Sequence, residues 1–198
     1  MQTKKEASTE KRRTKSVRRT SSGASDAGRR FVKSPKVAIV CDWLTNMGGA
    51  EKVVLAVAKA YPNAPIYTSV FTPETMPAFK DLDIRTTYLQ KLPSFLRKRH
   101  QLFPILRARA FRKLNLNDYD IIISLASAEA KAVQKRPDAL HICYCHTPTR
   151  YYWSHYDEYK REPGMGPLNP LIRLLLPLLV RTIRRIDLRA AAGVDAFI

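Results

Sequence analysis

Acidic residues are scarce in this 198-residue chain: 17 Asp and Glu stand against 35 Lys and Arg, a formal net charge of +18. That imbalance points to a polyanionic partner, with nucleic acid, anionic lipid or a phosphorylated substrate as the candidate chemistries. Cysteine is scarce too. Cys41, Cys143 and Cys145 are too few for the disulfide framework of a small secreted protein, so a reducing, cytoplasmic compartment is expected. Long apolar runs are missing. The longest, LLLPLLV at 174–180, falls far short of the ~20 residues that a bilayer core requires. The first thirty residues hold no apolar h-region, so no secretory signal is expected there. The Arg and Ser content would suit a transit peptide, but Val17 is nearly the only large apolar residue before Phe31, so no amphipathic helix is expected there. Neither a GxGxxG fingerprint nor a P-loop occurs, and no internal repeat is evident.

What is present divides into two textures. Residues 1–34 form a basic, low-complexity stretch with eleven Lys and Arg against three acids and almost nothing to bury, so a disordered tail is expected. From 35 to 198 the chain reads as one α/β domain, and the 45% hydrophobic content suffices for its core. KVAIVCDWL is a continuous apolar run of the kind found in strands buried on both faces. AEKVVLAVAKAY follows as a helix with Val53, Val54, Val57, Ala58 and Tyr61 on one face. Further strands are expected at 65–71, 83–89, 119–126 and 141–146, with helical patterns between several of them. Strands alternating with helices predict a Rossmann-like, doubly wound parallel sheet.

In such a sheet ligands bind beyond the carboxyl ends of the strands. TNMGGAEK stands there, after the first strand and at the start of the first helix. Gly48 and Gly49 allow close backbone approach, the helix start offers free N–H groups to an anion, and Glu51 suits the helix dipole. A Gly-Gly turn is also a common tight connection. HICYCH at 141–146 raises a second question. As a strand it places His141, Cys143 and Cys145 on one face, where they could present ligands to zinc or pack as small buried groups. Extended ligands at a spacing of two converge poorly on a tetrahedral ion, and no second cysteine pair exists, so no metal is expected. His146 ends the strand. It precedes Thr147-Pro148, then Arg150 and the aromatics Tyr151, Tyr152 and Trp153, on the rim that the glycine turn shares. That mixture suits a phosphorylated, sugar-like ligand, although a histidine that only caps a turn would look the same.

VAIVCDWLTNMGGAEKVV, YLQKLP, LNDYDIIISLASAEAKAV and HICYCHTPTRYYW, in this order, resemble the N-terminal half of retaining glycosyltransferases of family 4, within the GT-B superfamily. The resemblance covers nearly all of 36–198. It implies sugar transfer from a nucleotide-sugar donor to a lipid-linked or polysaccharide acceptor, in a cleft between two Rossmann-like domains, with no metal and no bound cofactor. It places Gly48 and Gly49 near the donor phosphate and His146 on the donor sugar, with Ser124, Ser127, Thr147 and Arg150 lining the cleft. The family's second domain carries most nucleotide contacts. Here the sequence stops at GVDAFI, which reads as the start of a strand, so the expectation is an incomplete enzyme whose C-terminal domain could come from a separate chain.

Two basic helices are expected at 93–114 and 168–190. The first contains Arg97, Lys98, Arg99, Arg107, Arg109, Arg112 and Lys113 with no acid, and Pro104 can open a helix within it. The second sets Ile172, Leu175, Leu176, Leu179, Ile183 and Ile186 against Arg173, Arg181, Arg184, Arg185 and Arg189, with Pro177 as a kink. An apolar stripe flanked by arginines fits either a core-facing helix or an anionic membrane interface. The membrane reading places the protein on the inner face of the plasma membrane. An alternative function is a non-catalytic basic module that binds anionic membrane or nucleic acid.

Overall fold

Six short strands, most of them rich in Val, Ile and Tyr, pair in parallel to form the centre of the protein. A computed structural model describes residues 34–150, 152–162, 166 and 169–198. The expected tail, apart from Ser34, lies outside these residues, as do Tyr151 and Leu168. The strands are β1 Val37–Cys41, β2 Ile66–Thr68, β3 Ile84–Thr86, β4 Ile121–Ala126, β5 Leu140–Cys145 and β6 Ala196–Phe197. Their order across the sheet is β3-β2-β1-β4-β5-β6, and every neighbouring pair is parallel. Each expected strand is present, most of them trimmed to the residues that enter the ladder, while the one expected at 141–146 starts one residue earlier and leaves His146 just beyond its end.

Helices cover both faces, as parallel strands demand. Helix α1, Gly49–Ala60, packs Val54 and Ala58 over Ile39, Cys41, Ile66 and Leu125. Leu55 joins that contact while Tyr61, expected on the buried face, caps the helix and is exposed. Helix α3, Pro104–Arg112, closes the opposite face, where Phe111 meets Ala38, Val40, Ile122 and Cys143. The last helix reaches the same cluster through Ala190.

The basic stretch 93–114 is not one helix. It breaks into α2 Ser94–Arg97, a 3-10 turn His100–Leu102 and α3 Pro104–Arg112. Pro104 dictates the break, because a residue before proline avoids the helical region, and Phe103 sits at φ −120°, ψ 53°. After α4, Tyr156–Arg161, the 23-residue α5 spans Asn169–Ala191 and continues through Pro177. Its core side is carried by Val180 and Ile183, which pack with Leu176 on Ile105, Tyr152, Trp153 and Tyr156. Leu175 and Leu179, read from the sequence as part of that stripe, are exposed. Among the described residues no helix is long and apolar enough to cross a membrane.

Candidate functional site

The chain runs β1, β2, β3 in one direction across the sheet, then crosses to the other side of β1 to place β4. The loops after β1 and β4 therefore diverge, and a crevice opens between them at the carboxyl ends of these strands. Asp42, the first residue beyond β1, ties the crevice together. Its Oδ2 accepts the N–H groups of Ser127 (2.8 Å) and Ala128 (2.9 Å), and its Oδ1 accepts that of Ala130 (2.8 Å). Its carbonyl accepts from the Ser69 N–H (3.2 Å) and the Ser69 hydroxyl, which attaches the loop after β2 as well. One residue thus joins three loops, through its carboxylate to the loop after β4 and through its carbonyl to the loop after β2.

A small cavity of about 40 Å³ lies against this anchor, lined by Asp42, Trp43, Ala50, Glu51, Ser127 and His146 among others. It holds about one water-sized group. The first turn of α1 and the end of β5 meet here across the switch point. His146 Nε2 is buried and has no hydrogen-bond partner, and its ring leans edge-on against Tyr144 at 5.1 Å. An orphaned buried polar nitrogen is rare in native proteins, because an unmade hydrogen bond costs about 1–3 kcal/mol. Larger hollows of about 490 and 520 Å³ open beside the starts of the strands, the end of the sheet where doubly wound domains do not collect ligands.

The sequence-derived residues separate into three groups. Ser127 and His146 line the cavity, and the Gly48–Gly49 turn leads into its α1 wall. Thr147 and Arg150 are exposed on the loop that leaves β5. Ser124 does not face the cleft. Strand alternation turns it with Ile122 and Ala126 towards the α3 side, where it is fully buried and its Oγ lies 2.8 Å from His141 Nε2. His141 and Cys143 are buried on that same side. Burial pushes the His141 pKa down to about 4 and raises that of the Cys143 thiol, so both groups are neutral near pH 7. Among the described residues no three His, Cys, Asp or Glu side chains stand close enough to hold a metal.

Neither glycine of the turn has a positive φ; Gly48 is extended at φ −142°, ψ −162°. A Cβ at Gly48 would meet Glu51 Oε2 at 2.9 Å, a flexible tip folded back over the turn. A Cβ at Gly49 would meet nothing within 4 Å. The chain itself therefore gives no reason for glycine at 49, although alanine would favour the helix start.

Sequence reasoning overlooked the polar cluster that supports the site. The 3-10 turn Glu129–Ala132 is buried throughout, charges included. Arg107 Nε and Nη2 both lie 2.8 Å from Glu129 Oε2, and the Tyr152 hydroxyl donates to Oε1 at 2.9 Å. Burial pushes the Glu129 carboxyl up, with Arg107 pulling it back. Burial also works against the Arg107 charge, and Glu129 outweighs it. Arg107 donates further to the His100 carbonyl at 3.0 Å and stacks over Trp43 at 4.9 Å, so a wall of the cavity rests on this pair. Lys131 Nζ reaches Asp187 Oδ1 of α5 at 2.7 Å, and Trp153 Nε1 donates to the other oxygen at 3.1 Å. Arg107 is one of the cations of the expected basic helix 93–114. It is in fact buried, because Glu129 offers its charge a partner in the interior. The signal in the sequence was ASAEAK, two charges spaced by two among alanines directly after a buried strand.

A parallel sheet in this order, with a glycine turn, a buried carboxylate anchor and an unpartnered imidazole gathered at its switch point, defines a domain of the doubly wound α/β class. The sequence model of Glycosyltransferase Family 4 matches residues 47–191, and the chain belongs to that family. No curated protein and no solved structure matches the chain.

Proposed function

We propose that this domain takes part in retaining transfer of a sugar from a nucleotide-sugar donor to a lipid-linked or polysaccharide acceptor, with the crevice between β1 and β4 as its share of the active site. The family match supports glycosyl transfer, and the unpartnered Nε2 of His146 is the observation that carries the site assignment. In this reading a donor hydroxyl supplies the missing hydrogen bond to His146. The donor diphosphate lies over Gly49 at the start of α1, where free N–H groups stabilise negative charge as the sugar departs. The open space at Gly49 lets that backbone approach the phosphate. Glu51, whose carboxylate folds over Gly48, turns aside for the donor. Ser127, Thr147 and Arg150 line the approach. The remaining nucleotide contacts are assigned to a second Rossmann-like domain, in the same or a separate chain, and no metal or bound cofactor is invoked.

His146→Ala in the active protein is expected to lower turnover by roughly ten- to a hundredfold, the loss of one hydrogen bond made to the reacting sugar, with thermal stability unchanged. Steady-state kinetics with a panel of nucleoside diphosphate sugars, alongside thermal melts, would decide this. Unaltered turnover would remove His146 from the site.

A further inference from the structure

Helix α5 has a second apolar face that the domain does not use. With about 3.6 residues per turn, Leu171, Leu174, Leu175 and Leu178 fall on one side, away from Val180 and Ile183. They are 53%, 75%, 52% and 68% exposed, and Leu179 borders them at 39%. A helix that is apolar on all sides is normally buried on all sides. The same line continues towards the C-terminus as Arg181, Arg185 and Arg189, all exposed and none with a polar partner among the described residues. The acid of this helix, Asp187, is held by Lys131 and Trp153 on the opposite side.

The helix is therefore graded along its axis as well as around it. On this side the exposed leucines lie within 171–179, about 12 Å at 1.5 Å per residue, and Arg181, Arg185 and Arg189 follow, with the exposed Leu188 at their border and Arg173 on the far side of the helix. Close by, Ile105 packs against the Val180–Ile183 cluster. Leu102, three residues before it and thus at most about 11 Å away along the chain, is exposed, as is Phe95 of α2. Lys98 and Arg99 between them are exposed cations.

We infer that this face of α5 docks on an anionic lipid bilayer, with Leu171, Leu174, Leu175 and Leu178 among the upper acyl chains and Arg181, Arg185 and Arg189 at the phosphates. Charge complementarity selects this occupant: an unneutralised row of arginines adjoins the leucines, and the one acid of α5, Asp187, faces the interior. The apolar residues themselves point the same way. Protein interfaces are anchored by Trp, Tyr and Arg seated in pockets, whereas four leucines on a convex helix suit a fluid hydrocarbon. The axial grading sets the geometry, in which the N-terminal half of α5 dips inward and the C-terminal half stays at the headgroups. The docked face excludes Arg107, paired with Glu129 in the interior, and Arg184, which stacks on Trp153 and Tyr156 at 5.2 and 5.1 Å. The inference is independent of the donor reading, since vesicle binding needs no substrate.

Co-sedimentation of the full chain with phosphatidylcholine vesicles, and with a phosphatidylcholine–phosphatidylglycerol mixture, tests it at about 0.1 M and about 0.5 M salt. The wild type is expected to bind the anionic vesicles and to keep part of that binding at high salt, where charge attraction is screened. Leu174→Ser with Leu178→Ser, which leaves the net charge at +18, should lower the salt-resistant binding by about tenfold or more with an unchanged melting curve. Leu171→Gln with Leu175→Gln, a second pair on the same face, should do the same. Arg181→Gln, Arg185→Gln and Arg189→Gln together should lower low-salt binding and leave the salt-resistant part. Vesicle binding unaffected by both leucine pairs would overturn the inference. So would leucine variants that dissociate a dimer without changing vesicle binding, because the face would then serve self-association.

Discussion

Gly49 opens α1 with no side chain, no left-handed backbone and no neighbour that a Cβ would strike. Glycine at a helix start loosens the unfolded chain and weakens the helix, so a position that keeps it without internal need is explained by something that approaches from outside. Gly49→Ala is expected to raise stability by about 0.5–1 kcal/mol while weakening nucleotide-sugar binding by about tenfold. Chemical denaturation and equilibrium binding measured on the same preparation would separate the two effects. A variant that gains stability and binds the donor as before would show that the turn is only a connection. His146 and the glycine turn were visible in the sequence because each interrupts a regular pattern: an imidazole at a strand end, a glycine pair before an apolar helix. Asp42 was not. An aspartate after a strand looks like many others until the fold delivers three N–H groups from residues more than eighty positions away.

At the scale of elements, the 3-10 turn Glu129–Ala132 is the joint of the molecule. It carries Glu129 towards Arg107 of α3 and Lys131 towards Asp187 of α5, and its backbone hangs from Asp42. Buried ion pairs add little net stability when compared with well-packed apolar groups, yet removing one partner strands the other, at a cost of about 3–5 kcal/mol. With Tyr152→Phe in every background, so that no hydroxyl loses its acceptor, Arg107→Met and Glu129→Met should each destabilise by that amount. The double variant should lose less than either single one. Urea denaturation of the four proteins completes the cycle, and simply additive losses would mean that the pair is not coupled. The helix over 93–114 failed for a reason the sequence contained, Pro104, whose effect on Phe103 outweighs the helical pattern of the flanking residues. The two apolar faces of α5 could not be told apart by periodicity, because leucines lie on nearly every side between 171 and 179.

For the whole molecule, acid is the most informative stress. His100 and His141 are both buried, and burial holds each pKa down to about 4, well under its usual value, with Arg107 adding to the effect on His100. A histidine lowered on folding contributes stability that is fully present above the unfolded value of about 6.5 and is lost as pH falls through about 4. Melting temperature should therefore decline from pH 6.5 to pH 4. His141→Gln, which can still reach Ser124, should flatten the decline even if it lowers the melting temperature at pH 7. The Glu129 carboxyl, pushed up by burial, contributes with the opposite sign, so the histidine share is read from the difference between variant and wild type. Equal slopes in the two proteins would exclude His141 as a source of acid sensitivity. By itself the sequence determined the parallel α/β class, the strand and helix alternation, the position of the glycine turn and of His146, and the excess of positive charge. These are local properties, written in periodicity, residue type and count. Only the tertiary structure decided that Ser124 faces His141 instead of the cleft, that Arg107 is an interior ion-pair partner instead of a surface cation, and which leucines of α5 are left to solvent. Each of those depends on which distant residue lies opposite, and strand register and helix packing set that in three dimensions.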